Sequence, residues 1–271
     1  MTERRIERVV RAHRQLEGAG FIVRRPFPSP SFDAADPFLL LDELGPIDYR
    51  PGEATGAPDH PHRGFETVTY VLEGETEHED SAGHRGTLGP GDVQWMTAGS
   101  GVVHSEMPSA RLQREGGRVH GFQIWVNLPA KDKRVPPRYQ EIKAAAIPEA
   151  KSSDGKVTVK VVAGESLGVR AVIETRTPIS YLHFTFEPGG RHVQSVPESH
   201  RAYVYVFSGK LRVAGEVLEE GSLAALGPGA GVALEAAAEN DARVQALLLS
   251  GVPLREPVAR YGPFVLSLIH I

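Results

Sequence analysis

Two short stretches hold residues whose types and spacing can do chemistry: His60 and His62 in "PDHPHRGFETVTYVLEG", and His104 and Glu106 in "GVVHSEMP". In an extended strand, residues two apart project to one face, so each pair presents its side chains together. Two such strands brought face to face by a barrel can offer three imidazoles and one carboxylate to a single point. That donor set suits iron(II), manganese, nickel, copper or zinc, and affinity alone does not select among them. Either pair alone reads equally well as surface histidines at strand ends; two pairs at period-two spacing favour a metal. The chain has no cysteine, which removes disulfides, thiolate nucleophiles and sulfur-ligated zinc together. Any metal must be held by nitrogen and oxygen.

The elements that must position these residues read as strands. Runs such as "TVTYVLEG", "DVQWMTAG", "FQIWVNLP", "KVTVKVVAGE", "ISYLHFTFEPGG" and "AYVYVFSGKLRVAG" are separated by Gly, Pro and Asp at the spacing of an all-β barrel or sandwich. The Ala-rich "ALEAAAENDARVQALLLS" follows "LGPGAGV" and ends in a β-like run, so it too is expected as strands. Strand signals fade between Asn127 and Lys156, which suggests an N-terminal domain over 1–130, a linker over 131–156 and a C-terminal domain over 157–271. The halves repeat a pattern of strand, Gly-bearing hairpin and "G-[DS]" opening the next strand pair, the mark of an internal duplication. Anchoring Gly74 on Gly209 puts Ser195 and Pro197 at the places of His60 and His62. Anchoring Gly91 on Gly221 puts Leu234 and Ala236 opposite His104 and Glu106. The C-terminal domain is therefore expected to keep the scaffold without the ligands.

Composition bounds the function class. The 271 residues are 41% hydrophobic, enough for a sizeable core, with net charge -4 and pI near 6.3. Mixed charge along the chain leaves no electrostatic footprint for direct nucleic-acid binding. The one basic cluster, "MTERRIERVVRAHR", reads as a solvated end. No window reaches the ~20 apolar residues of a membrane span, and the N-terminus lacks a signal-peptide pattern, so a cytoplasmic location is expected. Outside the paired motifs, His78 and His84 read as turn histidines bonded to backbone and His120 as a packing residue that borders the pocket. Gln123 is a candidate substrate contact. His183, His192 and His200 lack paired spacing and receive no role.

The motifs "DHPHRGFETVTYVLEG", "HEDSAGHRGTLGPGDVQWMTAGSGVVHSEMP", "HGFQIWVNLP" and "PLREPVARYGPFV" resemble the pirin family, and the likeness runs from "DPFLLLDEL" to "YGPFV". That resemblance implies two cupin (double-stranded β-helix, jelly-roll) barrels in tandem, a bicupin, with iron in the N-terminal one held by His60, His62, His104 and Glu106. It implies Fe(II), or another divalent first-row metal. Two functions follow from it: a dioxygenase that opens the ring of a flavonol such as quercetin with O2, with Glu106 as the proton acceptor, or an iron-dependent redox-sensing regulator acting on a protein partner. The general cupin pattern would instead draw its carboxylate from Glu66; the pirin pattern makes Glu66 a hydrogen-bonding partner that orients a ligand histidine. The closing "LSLIHI" looks unlike the family and reads as a truncated or foreign terminus, so His270 is not counted as a ligand.

Overall fold

The computed structural model of the chain describes residues 2–33 and 35–266. Two compact units divide the chain. One combines His13–Ser29 and Pro37–Ala144 with the chain from Leu254 onward; the other combines Pro30–Asp36 and Ala145–Pro253 with the first stretch through Ala12. Both are built of antiparallel strands, as the alternating apolar runs require, and among the described residues no helix is long and apolar enough to cross a membrane.

The unit that carries the paired histidines has two large sheets and a two-stranded ribbon, Ala259–Tyr261 with Phe264–Leu266. Seven strands run in the order Arg138–Ile142, Val93–Thr97, Phe65–Glu73, Gly117–Asn127, Phe38–Tyr49, Phe21–Phe27, His13–Glu17. Four more run in the order Ala57–His62, Val102–Pro108, Thr76–Asp80, Arg85–Leu88. The central strand "FETVTYVLE" is β-branched and aromatic because both of its faces are covered. The hairpin between Thr76–Asp80 and Arg85–Leu88 is closed by Asp80, whose Oδ1 accepts from the backbone N–H groups of Ala82 and His84 at 2.9 Å. One six-residue helix, Ala110–Glu115, has no counterpart in the sequence reading. Ser109 Oγ caps it by accepting from Leu112 N at 3.1 Å.

The other unit repeats this plan. Its larger sheet runs Ile6–Arg11, Ser222–Leu226, Arg201–Ser208, Val244–Gly251, Ile179–Phe186, Val157–Ala163, Glu149–Lys151. Its smaller sheet runs Arg191–Ser195, Gly231–Ala236, Lys210–Val213, Glu216–Glu219. Inward-facing Val157, Val159, Leu182, Phe184, Val204 and Leu248 build an apolar core. Within 131–156, Arg138–Ile142 pairs with Val93–Thr97 and Glu149–Lys151 with Val157–Ala163, so that stretch contributes one strand to the larger sheet of each unit.

The basic N-terminal segment is not the solvated end that its charge suggested. Ile6–Arg11 is an edge strand paired with Ser222–Leu226, and it takes the place that Arg138–Ile142 holds in the first unit. Its anchor is Arg4, buried at 1% exposure, whose guanidinium donates to the carbonyls of Gly227 (2.8 Å), Pro197 (2.8 Å) and His200 (2.9 Å). Charge misled here because alternate residues of an edge strand remain in water. Replacing Arg4 strips charged donors from three carbonyls, so Arg4→Ala is expected to lower the unfolding free energy by about 2–4 kcal/mol. Exposed Arg5→Ala should stay within about 0.5 kcal/mol. Urea midpoints compare the two variants, and equal midpoints would show that Arg4 anchors nothing.

Candidate metal centre

The cluster is assembled by strand register. Ala57–His62 lies against Val102–Pro108 with His104 directly opposite His60 and Val102 opposite His62, so three imidazoles reach one point. Their ring centroids stand 4.5 Å (His60–His104), 4.7 Å (His60–His62) and 5.0 Å (His62–His104) apart, and one ring nitrogen of each lies within 4.8 Å of the others. Both ring nitrogens of His62 and of His104 are buried without a hydrogen-bond partner. Burial, then the neighbouring imidazoles of His104 and His60, push the His62 ring down to about 2. Burial is also the first cause that lowers His104. His60 is fixed differently: its Nδ1 sits 2.8 Å from the carbonyl oxygen of Pro58. A carbonyl only accepts, so Nδ1 carries the hydrogen and Nε2 keeps its lone pair. Imidazole nitrogens converging within ligand reach, those of His62 and His104 buried and unpartnered, are the donor set for a divalent metal ion.

The carboxylates stand apart from this cluster. Among the described residues the group of mutually close ligand atoms comprises the three histidines, and Glu106 lies outside it. The pairing of its strand with Ala57–His62 shifts register between His104 and Glu106, the extra residue lying in Ala57–His62. Thr69 Oγ1 donates to Glu106 Oε1 at 2.7 Å and Gln123 Nε2 donates to Oε2 at 3.3 Å, while Thr69 Oγ1 also lies 2.7 Å from Gln123 Oε1. Gln123, expected to meet substrate, is thus engaged with Glu106. Glu66 is buried and accepts from Thr97 Oγ1 at 2.6 Å. His78 and His84 pair with carboxylates rather than with backbone: His78 Nε2 lies 2.6 Å from Glu141 and His84 Nδ1 lies 3.0 Å from Asp80. His120 Nε2 is 3.0 Å from Glu43 Oε1, and His120 lines the pocket. His270 falls in 267–271, outside the described residues.

A cavity of about 690 Å³ opens onto His60, His62 and Glu106. Its walls include Phe21, Leu40, Leu44, Phe122 and Trp125. The Trp125 ring meets His62 edge-on at 5.3 Å, and the Arg260 guanidinium covers it at 5.0 Å. Arg260 comes from the stretch whose strand Phe264–Leu266 is tied down by Lys133. Buried Lys133 donates to Asn127 Oδ1 (2.6 Å), Gly64 O (2.8 Å) and Val265 O (3.3 Å), and burial lowers its amine to about 8. Gly64 has φ +87°, and a Cβ there would stand 1.8 Å from Val265 O, so only glycine fits. Thr69 and Arg260 lie within the motifs that carry the family resemblance, but neither they nor Lys133 has a pairwise spacing that singles it out.

Ladder positions in the second unit identify what replaces the ligands. Leu234 lies opposite His192 and Val232 opposite Gln194, as His104 lies opposite His60 and Val102 opposite His62. The places of His60 and His62 are therefore taken by His192 and Gln194, not by the Ser195 and Pro197 that the Gly74–Gly209 anchor suggested. Strand–loop lengths before the anchor differ between the halves, and an ungapped overlay cannot register that. His192 Nε2 is 3.2 Å from Gln194 Oε1, and Leu234 fills the third position.

A family model described as Pirin matches residues 20–126, and one described as Pirin C-terminal cupin domain matches 181–268. The pirin of Homo sapiens is 44% identical over 263 residues, covering 95% of this chain and 86% of its own length. A pirin-like protein of Solanum lycopersicum is 44% identical over 267 residues, covering 97% and 87%. The crystal structure of a quercetin 2,3-dioxygenase from Acinetobacter baumannii superposes with a TM-score of 0.91 at 37% identity, covering 98% of this chain and 92% of that one.

His62→Ala is expected to remove most metal binding and His200→Ala to leave it intact, with elemental analysis of chelator-free protein giving close to one first-row metal per chain. Chelator-treated protein should also lose stability in acid. Unfolded imidazole titrates near ~6.5, whereas folded His62 stays neutral to about 2. Below ~6.5 the unfolded chain takes up a proton that the fold excludes. Stability is thus full above that pH and declines as pH falls, by up to about 1.4 kcal/mol per unit for such a group. Melting temperatures between pH 7.5 and 5 test this, His62→Ala serving as the flatter control.

Proposed function

The chain belongs to the pirin family, and from that premise we propose that it is a dioxygenase that opens a flavonol ring with O2 at an iron(II) site held by His60, His62, His104 and Glu106. The observation that carries this reading is the cavity of about 690 Å³, apolar-walled, onto which the imidazole cluster opens. A flat aromatic ligand of drug size fits a space of that class. A regulator whose metal only senses redox state would be better served by a site plugged with side chains, and this cavity favours the enzyme. The likeness to a quercetin 2,3-dioxygenase at 37% identity supports the substrate class. The overall reaction balances as flavonol plus O2 giving the cleaved ester plus carbon monoxide.

Bound among these ligands, an iron(II) ion supplies Lewis acidity to an enol oxygen and redox chemistry toward dioxygen. The chain's own residues do the rest. Phe122, Trp125 and Leu40 form apolar walls that exclude water, and Arg260 closes over Trp125. Glu106 receives the proton of the flavonol hydroxyl, and its neighbours are arranged to hold it. Three contacts, two at 2.7 Å and one at 3.3 Å, join Glu106, Thr69 and Gln123, but only two donors serve them: the single hydroxyl hydrogen of Thr69 and the one face of the Gln123 amide that carries N–H groups. A proton on Glu106 supplies the third. Glu106 then donates to Thr69, Thr69 to Gln123 Oε1, and Gln123 Nε2 to Glu106 Oε2. Reversing the amide leaves the count unchanged.

In iron-loaded protein, quercetin is expected to perturb the metal spectrum without oxygen. Admitting oxygen should then bleach the flavonol with matched O2 uptake and carbon monoxide release. No uptake across a flavonol panel, with iron occupancy confirmed in the same sample, would sink the enzyme reading in favour of a regulator. Glu106→Gln should lower turnover and metal affinity together, and Glu66→Gln should weaken affinity by only ~10–100-fold. The reverse ranking would reassign the carboxylate ligand to Glu66.

A further inference from the structure

We infer that Thr69 and Gln123 are positioning residues that seat the Glu106 carboxylate away from the three imidazoles, giving Glu106 two stations: one among the ligands and one on this pair. The inference rests on Glu106 being a fourth ligand, as proposed above, and adds where it goes when it is not.

Four observations carry it. Glu106 lies outside the imidazole cluster, and both of its oxygens are engaged, Oε1 by Thr69 and Oε2 by Gln123. His104 stands opposite His60 but Glu106 stands opposite Ala57, so the extra residue of this register shift lies in Ala57–His62, while Val102–Pro108 pairs regularly with Thr76–Asp80. A bulge there re-aims the His60–His62 strand relative to Glu106, as bulges beside reactive sites do. Thr69 and Gln123 are direct ladder partners on the opposing sheet, so the seat is built on two rigid central strands rather than on a loop.

The fourth observation comes from the other unit. Along the large sheet, direct ladder partners form the row Gln94–Thr69–Gln123–Asp42. Counting from the Gly74–Gly209 anchor, the corresponding row is Ala224–Val204–Leu248–Leu182, which is apolar and fully buried. The scaffold therefore closes without polar groups at these positions, and a polar group there carries a desolvation cost unless something hydrogen-bonds it. What Thr69 and Gln123 bond is Glu106. The seat competes with the metal for one carboxylate, so it sets how readily Glu106 leaves.

The test is cobalt(II) affinity at fixed pH, by chelator competition, with circular dichroism confirming each fold. Glu106→Gln should bind cobalt more weakly than the unaltered chain. Thr69→Val and Gln123→Leu should each bind it more tightly, by about three- to tenfold, since losing one hydrogen bond from the seat releases Glu106 to the metal. Thr69→Ser keeps the hydroxyl and should match the unaltered chain. In a Glu106→Gln background Thr69→Val should add nothing, which a general structural effect would not reproduce. If Thr69→Val and Gln123→Leu bind cobalt equally or more weakly while Glu106→Gln still weakens it, the seat is refuted and Glu106 remains a ligand. If Glu106→Gln binds as tightly as the unaltered chain, Glu106 is no ligand, and the inference falls together with that part of the proposed site.

Discussion

Three imidazoles meeting at one point, His62 and His104 buried and His60 half-buried, are the constraint on which the site depends. Unpartnered ring nitrogens in a dry interior are costly, and His62 and His104 together bury four of them. Charging the rings does not relieve this, because burial and mutual repulsion hold His62 neutral. A cation that accepts their lone pairs does relieve it. The geometry follows from one strand pairing, Ala57–His62 against Val102–Pro108, and a slip of one residue in that register would turn the imidazoles to the opposite face.

The two units show how little of a barrel is needed for chemistry. Their sheets have matching strand orders, yet one interior row is Gln94, Thr69, Gln123 and Asp42 and the other is Ala224, Val204, Leu248 and Leu182. The apolar row packs against Phe184 and Val206 in a continuous core. Three members of the polar row, Thr69, Gln123 and Asp42, instead border a cavity, and each of the four is held: Thr69 and Gln123 to Glu106, Gln94 to Glu141, Asp42 to Arg25. In the first unit, therefore, hydrogen bonding along this row takes over the ordering role that side-chain packing plays in the second.

Much of this was legible along the chain. The all-β class follows from apolar alternation, and the three histidines from their period-two spacing in two separate strands. Identity of type was less informative where partners mattered. Gln123 read as a candidate substrate contact because it shares strand and parity with Trp125; it does line the cavity, but its hydrogen-bond partner Glu106, on another strand, could not be read from spacing. The N-terminal segment read as solvated because its charges dominate, whereas one buried arginine and an edge-strand pairing decide its place. Helix Ala110–Glu115 went unread because six residues are too few to show a period.

Period-two projection is a property of covalent backbone geometry, so the sequence alone could establish that His60 stands with His62 and that a strand presents both. The same holds for the absence of sulfur ligands and for the strand-rich class. Register between distant strands is different, since it is settled by pairing and packing across dozens of intervening residues. Only the folded chain could therefore decide that His192 and Gln194, rather than Ser195 and Pro197, occupy the vacated ligand places. It likewise decided that the first strand completes the sheet of residues 145–253, and that Glu106 rests on Thr69 and Gln123.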